Sequence, residues 1–191
     1  LFGSDDIMEP GALNCIIDKA CSLEFDIIMC SEFIGDLSAK RISTHHLLSS
    51  KRDISFNFIN VDDMCDYFSL AQSQSAIFGF LSSIIVKRSR WQKVSIDNSY
   101  MGTLYSHMYI LYSIINSGAS LYYVHEPLVT WRGGNDSFGG EGKITQRYLI
   151  DINGFKNIEI ELNSFWWRKQ NFKILVTPGL FTHKRLSHRG Y

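Results

Sequence analysis

A surplus of charge of either sign is missing from this sequence: its 191 residues carry 19 Lys and Arg against 19 Asp and Glu. A chain without a basic excess is poorly suited to a polyphosphate, so nucleic acid is not expected as its main partner. Long apolar runs are missing too. The longest, Ala76 to Val86, contains Ser82 and Ser83 and falls short of the roughly 20 residues needed to span a bilayer. No signal-peptide pattern stands at the start. Cysteine is sparse: Cys15, Cys21, Cys30 and Cys65 form no CxxC pair and lie among apolar or mixed residues. Reduced thiols in a cytoplasmic protein are the expectation. There is no internal repeat and no low-complexity linker.

What is present is the composition of a globular chain, 45% hydrophobic and 20% charged. Its length suits one domain or a large piece of one. The chain opens on Leu1 and reaches a dense motif by Asp5. A domain rarely begins on its active-site loop, so an N-terminally truncated chain is expected.

Leu1-Phe2 reads as the end of a strand and Gly3-Ser4-Asp5-Asp6 as a turn. Pro10 suits a first helical turn, where its missing N–H costs nothing. Ala12, Leu13, Ile16, Ile17 and Ala20 follow at helical spacing. Phe25 to Met29 reads as a short buried strand, Phe33 to Ser55 as a polar loop excursion, and Phe56 to Val61 as another strand. Asp62 to Ser75 reads as helical, and Ile77 to Val86 becomes strand-like towards its end, with a basic exit over Lys87-Arg88-Ser89-Arg90-Trp91. Leu104, His107, Met108, Leu111, Ile114 and Ile115 share one helix face, stopped by Asn116-Ser117-Gly118. Leu121 to Val124 is a strand that Pro127 breaks, and Leu128 to Trp131 resumes it as an edge-like strand. Arg132 to Gly142 is a glycine-rich loop, followed by a helix from Ile144. Helices alternating with short buried strands predict an α/β fold.

Asp5 and Asp6 stand where a strand gives way to a helix. In open α/β sheets, ligands bind outside the carboxyl ends of strands. Adjacent carboxylates there can hold a hard divalent cation through oxygen, and that cation can neutralise a departing diphosphate. The same pair also serves as a helix N-cap with a favourable charge behind it.

The run Phe2-Gly3-Ser4-Asp5-Asp6-Ile7-Met8-Glu9-Pro10-Gly11-Ala12-Leu13 resembles the acidic motif of family 2 glycosyltransferases. Phe80-Leu81-Ser82-Ser83-Ile84-Ile85-Val86-Lys87-Arg88 with Trp91 is similar to the mid-chain strand of the abequosyltransferase-like branch. Tyr122-Tyr123-Val124-His125-Glu126-Pro127-Leu128-Val129 resembles its late strand. Arg132, Gly134-Asn135-Asp136-Ser137-Phe138 and Arg147 match the loop and helix after it. The resemblance spans roughly residues 1 to 155. It implies the C-terminal portion of a GT-A, nucleotide-diphospho-sugar transferase fold, with a mixed sheet flanked by helices and most of the nucleotide-base pocket upstream. It implies a nucleotide-sugar donor and Mg²⁺ or Mn²⁺, with metal and diphosphate on Asp5 and Asp6 beside it. One departure stands out: the first acid of the DxD form falls on Gly3, and the first Asp of the branch's Gly-Asp-Asp-Asp version falls on Ser4.

In the wider family a base lies at the start of the helix before the late strand, and here Ser106-His107 falls near that position. An imidazole with an ordinary pKa of about 6.5 can take a proton from a sugar hydroxyl near neutral pH. A histidine bonded within the core is the competing reading, which Leu104 and Leu111 favour. Arg132, Asn135 and Lys143 are the donor-side candidates on the glycine-rich loop. An exposed surface loop would look the same. Residues 156–191 form a basic-aromatic extension. Trp166, Trp167, Arg168 and Lys169 there suit a peripheral membrane contact on the inner face, or equally a helix packing its tryptophans on the core.

The acids Asp62, Asp63 and Asp66 fit a helix N-terminus, and His45-His46 a polar loop pair. The expected reaction is inverting transfer from a nucleotide sugar to a glycan or lipid-linked acceptor, in bacterial O-antigen or other surface-polysaccharide synthesis. The rivals are a non-catalytic module of a polysaccharide-assembly complex, and a metal-dependent phosphotransferase that would need the two acidic clusters to converge.

Overall fold

The computed structural model describes residues 2–73, 75–95 and 106–134. The expected helix and the loop from Asn135 onward, the residues around Lys143, and the extension 156–191 lie outside the described residues. Within them the chain is α/β, with a six-stranded mixed sheet and helices packed against it.

Two long strands form the sheet's centre. β2 (Ile27–Gly35) and β6 (Ser120–Arg132) run parallel, and every other pairing is antiparallel. The first halves of this pair are flanked by β4 (Ile54–Asn57) on β6 and β5 (Ile84–Val86) on β2. The second halves are flanked by β1 (Ile7–Met8) on β6 and β3 (Arg41–His45) on β2. Each central strand therefore serves two neighbours in succession on its outer edge.

Pro127 does not break the strand as expected, nor does the resumed segment lie at an edge. The register skips from Cys30↔Val124 to Ser31↔Pro127 and then to Glu32↔Val129. The residues skipped next to Pro127 make a bulge, which is where a strand tolerates a residue without an N–H. Asp53 pins this bulge: Oδ1 accepts the His125 N–H at 2.9 Å, and Oδ2 accepts the Tyr122 hydroxyl and Lys19 Nζ, each at 3.0 Å.

The loop expected over Phe33 to Ser55 is mostly a hairpin. β2 continues to Gly35, turns at Asp36, and returns as β3. Asp36 Oδ1 accepts the N–H groups of Ser38 and Lys40, both at 2.9 Å, a side chain organising its own turn. Helix α1 (Ala12–Ser22) begins two residues after Pro10. The Ala12 N–H bonds the Glu9 carbonyl at 3.0 Å and Gly11 has φ +81°, so Pro10-Gly11 are the central residues of a tight turn. Of its expected apolar face only Ala12 and Ile16 are buried, while Leu13 and Ile17 remain about half exposed.

Helix α2 (Val61–Leu70) is capped by Asn60, whose side chain accepts the Asp62 N–H at 2.9 Å. This claims part of the strand expected to reach Val61. Two 3₁₀ turns, Ser75–Ile77 and Leu81–Ser83, lead into β5, and α3 (Arg88–Trp91) follows. Helix α4 (Ser106–Asn116) ends at Gly118, whose φ of +82° supplies the left-handed residue expected there.

The larger core lies among α2, α4 and the first halves of the central strands. It gathers Ile27, Met29, Phe56, Tyr67, Phe78, Leu111, Leu121 and Tyr123. A smaller core sits between α1 and the sheet, around Ile16, Ile28, Cys30, Val124 and Leu128. Among the described residues no helix is long and apolar enough to cross a membrane, and all four cysteines are free thiols.

Candidate functional site

The parallel pair ends at Gly35 and Arg132, which are register partners, and the Gly133 N–H bonds the Gly35 carbonyl at 2.9 Å. Ligands of α/β sheets bind at such carboxyl ends. The acidic turn comes to this end. Gly3 N–H donates to Ser82 Oγ at 2.8 Å, Ser82 Oγ donates to the Asp6 carboxylate, and Arg132 lies close enough to influence that carboxylate. Three sequence-expected residues, Asp5, Asp6 and Arg132, are thus brought together. Burial pushes the Asp6 carboxyl above its ordinary value and the neighbouring Asp5 adds to this, while the Ser82 bond and Arg132 pull the other way. The Arg132 Nε is buried and has no partner.

The space above Gly3 is occupied by its neighbours. A Cβ there would sit 2.5 Å from the Asp6 Oδ2 and 3.1 Å from Ser82 Oγ. With Asp6 folded beneath the turn, a side chain at position 3 would have to displace the Asp6 carboxylate. Just behind the turn, Glu9 is buried between strands. It accepts from the Thr130 hydroxyl and pairs with Arg41, whose guanidinium lies 4.4 Å from the centre of the Phe33 ring.

His107 sits in the first turn of α4, largely buried. Its Nε2 lies 3.0 Å from the Phe78 carbonyl. A carbonyl can only accept, so Nε2 carries the proton and Nδ1 keeps the lone pair. Burial holds the imidazole below its ordinary pKa, and the Phe78 bond works weakly against that. Phe78 itself has φ +68°, an outlier for an aromatic residue and a place where strain is stored. Phe78 stands four residues before Ser82, so no more than about 14 Å of chain separates His107's partner from that of Asp6. The same segment reaches a third group: Ser75 Oγ donates to Glu32 Oε1 at 3.1 Å, and His45 Nδ1 meets the same oxygen at 2.6 Å.

Glu32, 3% exposed, was not legible as a site residue. Its only sequence signal is an acid inside an apolar strand. His45 is a strand residue paired with it rather than part of a loop, and His46 stacks on His125 at 4.0 Å. Ser82 was equally unmarked, a polar residue inside the longest apolar run. Asn135 and Lys143 lie outside the described residues.

Among the described residues no three His, Cys, Asp or Glu gather as a metal site. The acidic turn nonetheless fits Mg²⁺ or Mn²⁺, since such ions are commonly held by one or two carboxylates completed by substrate phosphates. Asp62 and Asp63 are far away. Asp63 Oδ2 accepts the Asn57 N–H at 2.7 Å, and Asn57 pairs with Ser120 at the start of β6. Arg132 is at its end, roughly 35–40 Å along the strand. Two-metal phosphotransfer with ions roughly 4 Å apart cannot use both clusters.

No family model matches the chain. Over 191 residues it is 34% identical to the abequosyltransferase RfbV of Salmonella typhimurium, an alignment covering 95% of this chain and 56% of that protein. The chain spans about half the length of this curated relative. The resemblance to abequosyltransferase-like glycosyltransferases thus extends over nearly all of the chain.

Proposed function

We propose that this chain is the catalytic, acceptor-side part of a glycosyltransferase. It moves a sugar from a nucleotide-diphosphate donor to a glycan or lipid-linked glycan in bacterial surface-polysaccharide synthesis. The observation that carries this reading is the gathering of Asp5, Asp6 and Arg132 at the carboxyl end of the central parallel strands, in a chain 34% identical to an abequosyltransferase.

Asp5, with Asp6 beside it, would hold Mg²⁺ or Mn²⁺, and such a cation would supply charge neutralisation for the departing nucleoside diphosphate. Arg132 adds positive charge at the same place. His107 takes the proton of the acceptor hydroxyl at Nδ1, because Nε2–H is committed to the Phe78 carbonyl. Burial keeps the ring neutral and ready to accept near neutral pH. Attack from the face opposite the diphosphate inverts the anomeric centre. The donor is a CDP-, UDP-, GDP- or dTDP-sugar. The enzyme works at the cytoplasmic face, with residues 156–191 providing peripheral membrane contact.

The test is Asp5→Ala in the complete protein. Transfer stimulated by Mn²⁺ is expected to fall by about 10²–10³, the order reported for loss of a transition-state electrostatic contact, with the melting temperature unchanged. Undiminished Mn²⁺-dependent transfer would exclude Asp5 as the cation's ligand.

A further inference from the structure

We propose that Ser82 is a positioning residue of the acidic turn: its hydroxyl latches Asp6 beneath the turn and so presents Asp5 to the cation and diphosphate. This rests on the glycosyl-transfer reading above and divides the labour between the two acids. Ser82 Oγ is both acceptor and donor. It takes the Gly3 N–H at 2.8 Å and gives its own proton to Asp6 Oδ2. A hydroxyl is the smallest side-chain group able to do both at one point. Its residue is 5% exposed, so bulk water does not replace it readily. The Asp6 N–H adds a long bond to the Gly3 carbonyl, 3.4 Å, closing the turn on itself.

Two further observations support the latch. The space above Gly3 is filled by the Asp6 carboxylate at 2.5 Å from an added Cβ, so the turn is built around Asp6 lying inward. The Ser82 hydroxyl donates to that carboxylate, so its Oδ2 is engaged by protein. Asp6 is a half-buried anchor, and Asp5 is the acid the anchor holds in place. Ser82 also belongs to the segment that carries the Phe78 carbonyl bonded to His107. One stretch of chain therefore sets the acidic turn and the candidate base at a fixed separation.

The experiment compares Ser82→Ala, Ser82→Thr, Asp6→Asn and Asp5→Asn in the complete protein. Mn²⁺ binding is read by electron paramagnetic resonance with CDP, UDP, GDP or dTDP present. Exchange of the Gly3 amide is read by NMR without metal, and melting temperature is the fold control. Ser82→Ala is expected to speed Gly3 amide exchange and to weaken Mn²⁺ by about tenfold, the order of one hydrogen bond to a charged group. Ser82→Thr, which keeps the hydroxyl, restores both. Asp6→Asn, whose amide oxygen can still accept the Ser82 hydroxyl, weakens Mn²⁺ far less than Asp5→Asn. The proposal is overturned if folded Ser82→Ala leaves Gly3 exchange and Mn²⁺ affinity unchanged, or if Asp6→Asn is as damaging as Asp5→Asn. Should Ser82→Ala fail to fold, the Asp6→Asn against Asp5→Asn comparison decides alone. Wild-type protein that binds no Mn²⁺ with any of the four diphosphates refutes the metal assignment in the reading above instead, and Gly3 exchange still reports whether the latch exists.

Discussion

The two halves of the central strand pair are built on opposite principles. Before the bulge, Ile27, Met29, Leu121 and Tyr123 are fully buried. Above them Tyr67 meets Phe56, Phe58 and Phe68 edge-on, with centroids 5.2 to 5.4 Å apart. Removal of apolar surface and dense dispersion contacts stabilise this half. Beyond the bulge the same strands bury Glu32 and Thr130, with Glu9 against them. Burying carboxylates costs stability unless each is well bonded, and Glu32 Oε2 and His45 Nε2 lack partners altogether. Equal burial thus has two meanings along one strand. The first half holds the fold together, and the second carries the polar groups beside which the proposed site lies.

The sharpest way to break this comparison is through His107, which sits on the helix of the dry half yet is assigned to the chemistry. His107→Ala is expected to lower turnover by about 10²–10⁴, the range for loss of a general base, with donor affinity nearly unchanged. His107→Gln should not restore it, because an amide cannot accept the proton. If either variant loses melting temperature while keeping turnover per folded molecule, the histidine belongs to the core, and Glu126 and Asp136 become the next candidates. Glu126 stands in the bulge, exposed; Asp136 lies outside the described residues.

The reverse experiment targets the dry half. Leu121→Ala should cost about 2–5 kcal/mol of stability by urea unfolding, the range for truncating a buried Leu. Nucleoside-diphosphate binding by the folded fraction should be unchanged. A smaller effect is expected across the bulge: Thr130→Val removes a donor from buried Glu9 and should cost about 1–3 kcal/mol, while also loosening the strand behind the acidic turn. If Leu121→Ala disturbed nucleotide binding more than Thr130→Val, the division between the halves would fail.

The sequence made the dry half easier to read than the polar one. Strand Leu121 to Val124, helix α2 and helix α4 with its Gly118 stop follow from periodicity and caps, which are local properties. Pro127 misled because a lone proline signals a break, whereas a neighbouring strand and Asp53 turn it into a bulge, and Asp53 is distant in sequence. The hairpin around Asp36 was masked by polar residues on β3, although Gly35-Asp36-Leu37-Ser38 carries turn chemistry. At the site, Asp5, Asp6 and Arg132 were picked out by charge and motif resemblance, but the strand expected to end at Phe2 is absent. Phe2 is irregular and the acids precede β1 (Ile7–Met8), which brings them to the end of β6 only through its antiparallel pairing. Ser82, Glu9 and Glu32 were not, since their roles exist only once strands from distant parts of the chain meet. Position 3 shows the limit most clearly: a missing acid looked like a departure from the motif, and only the structure shows the Asp6 carboxylate lying over that position.

The smallest expected effect is a pH dependence that separates the two roles of His107 without altering its chemistry. Burial disfavours the imidazolium, so the folded-state pKa lies below the unfolded value of about 6.5. Above that value the ring is neutral in both states and its burial is fully tolerated. As pH falls below it, the unfolded chain binds a proton before the folded one does, and stability declines until the folded pKa is passed. The slope from this one group is at most about 1.4 kcal/mol per pH unit. The Phe78 carbonyl opposes the shift but does not reverse it, since it accepts Nε2–H in either protonation state. Urea unfolding of wild type and His107→Gln between pH 7.5 and pH 5 isolates the contribution. The difference in stability between the two proteins should narrow as the solution is acidified, because the glutamine cannot protonate. A difference that stays constant with pH would mean that His107 is solvated enough to titrate alike in both states, and the neutral, buried imidazole assigned here as the proton acceptor would have to be abandoned.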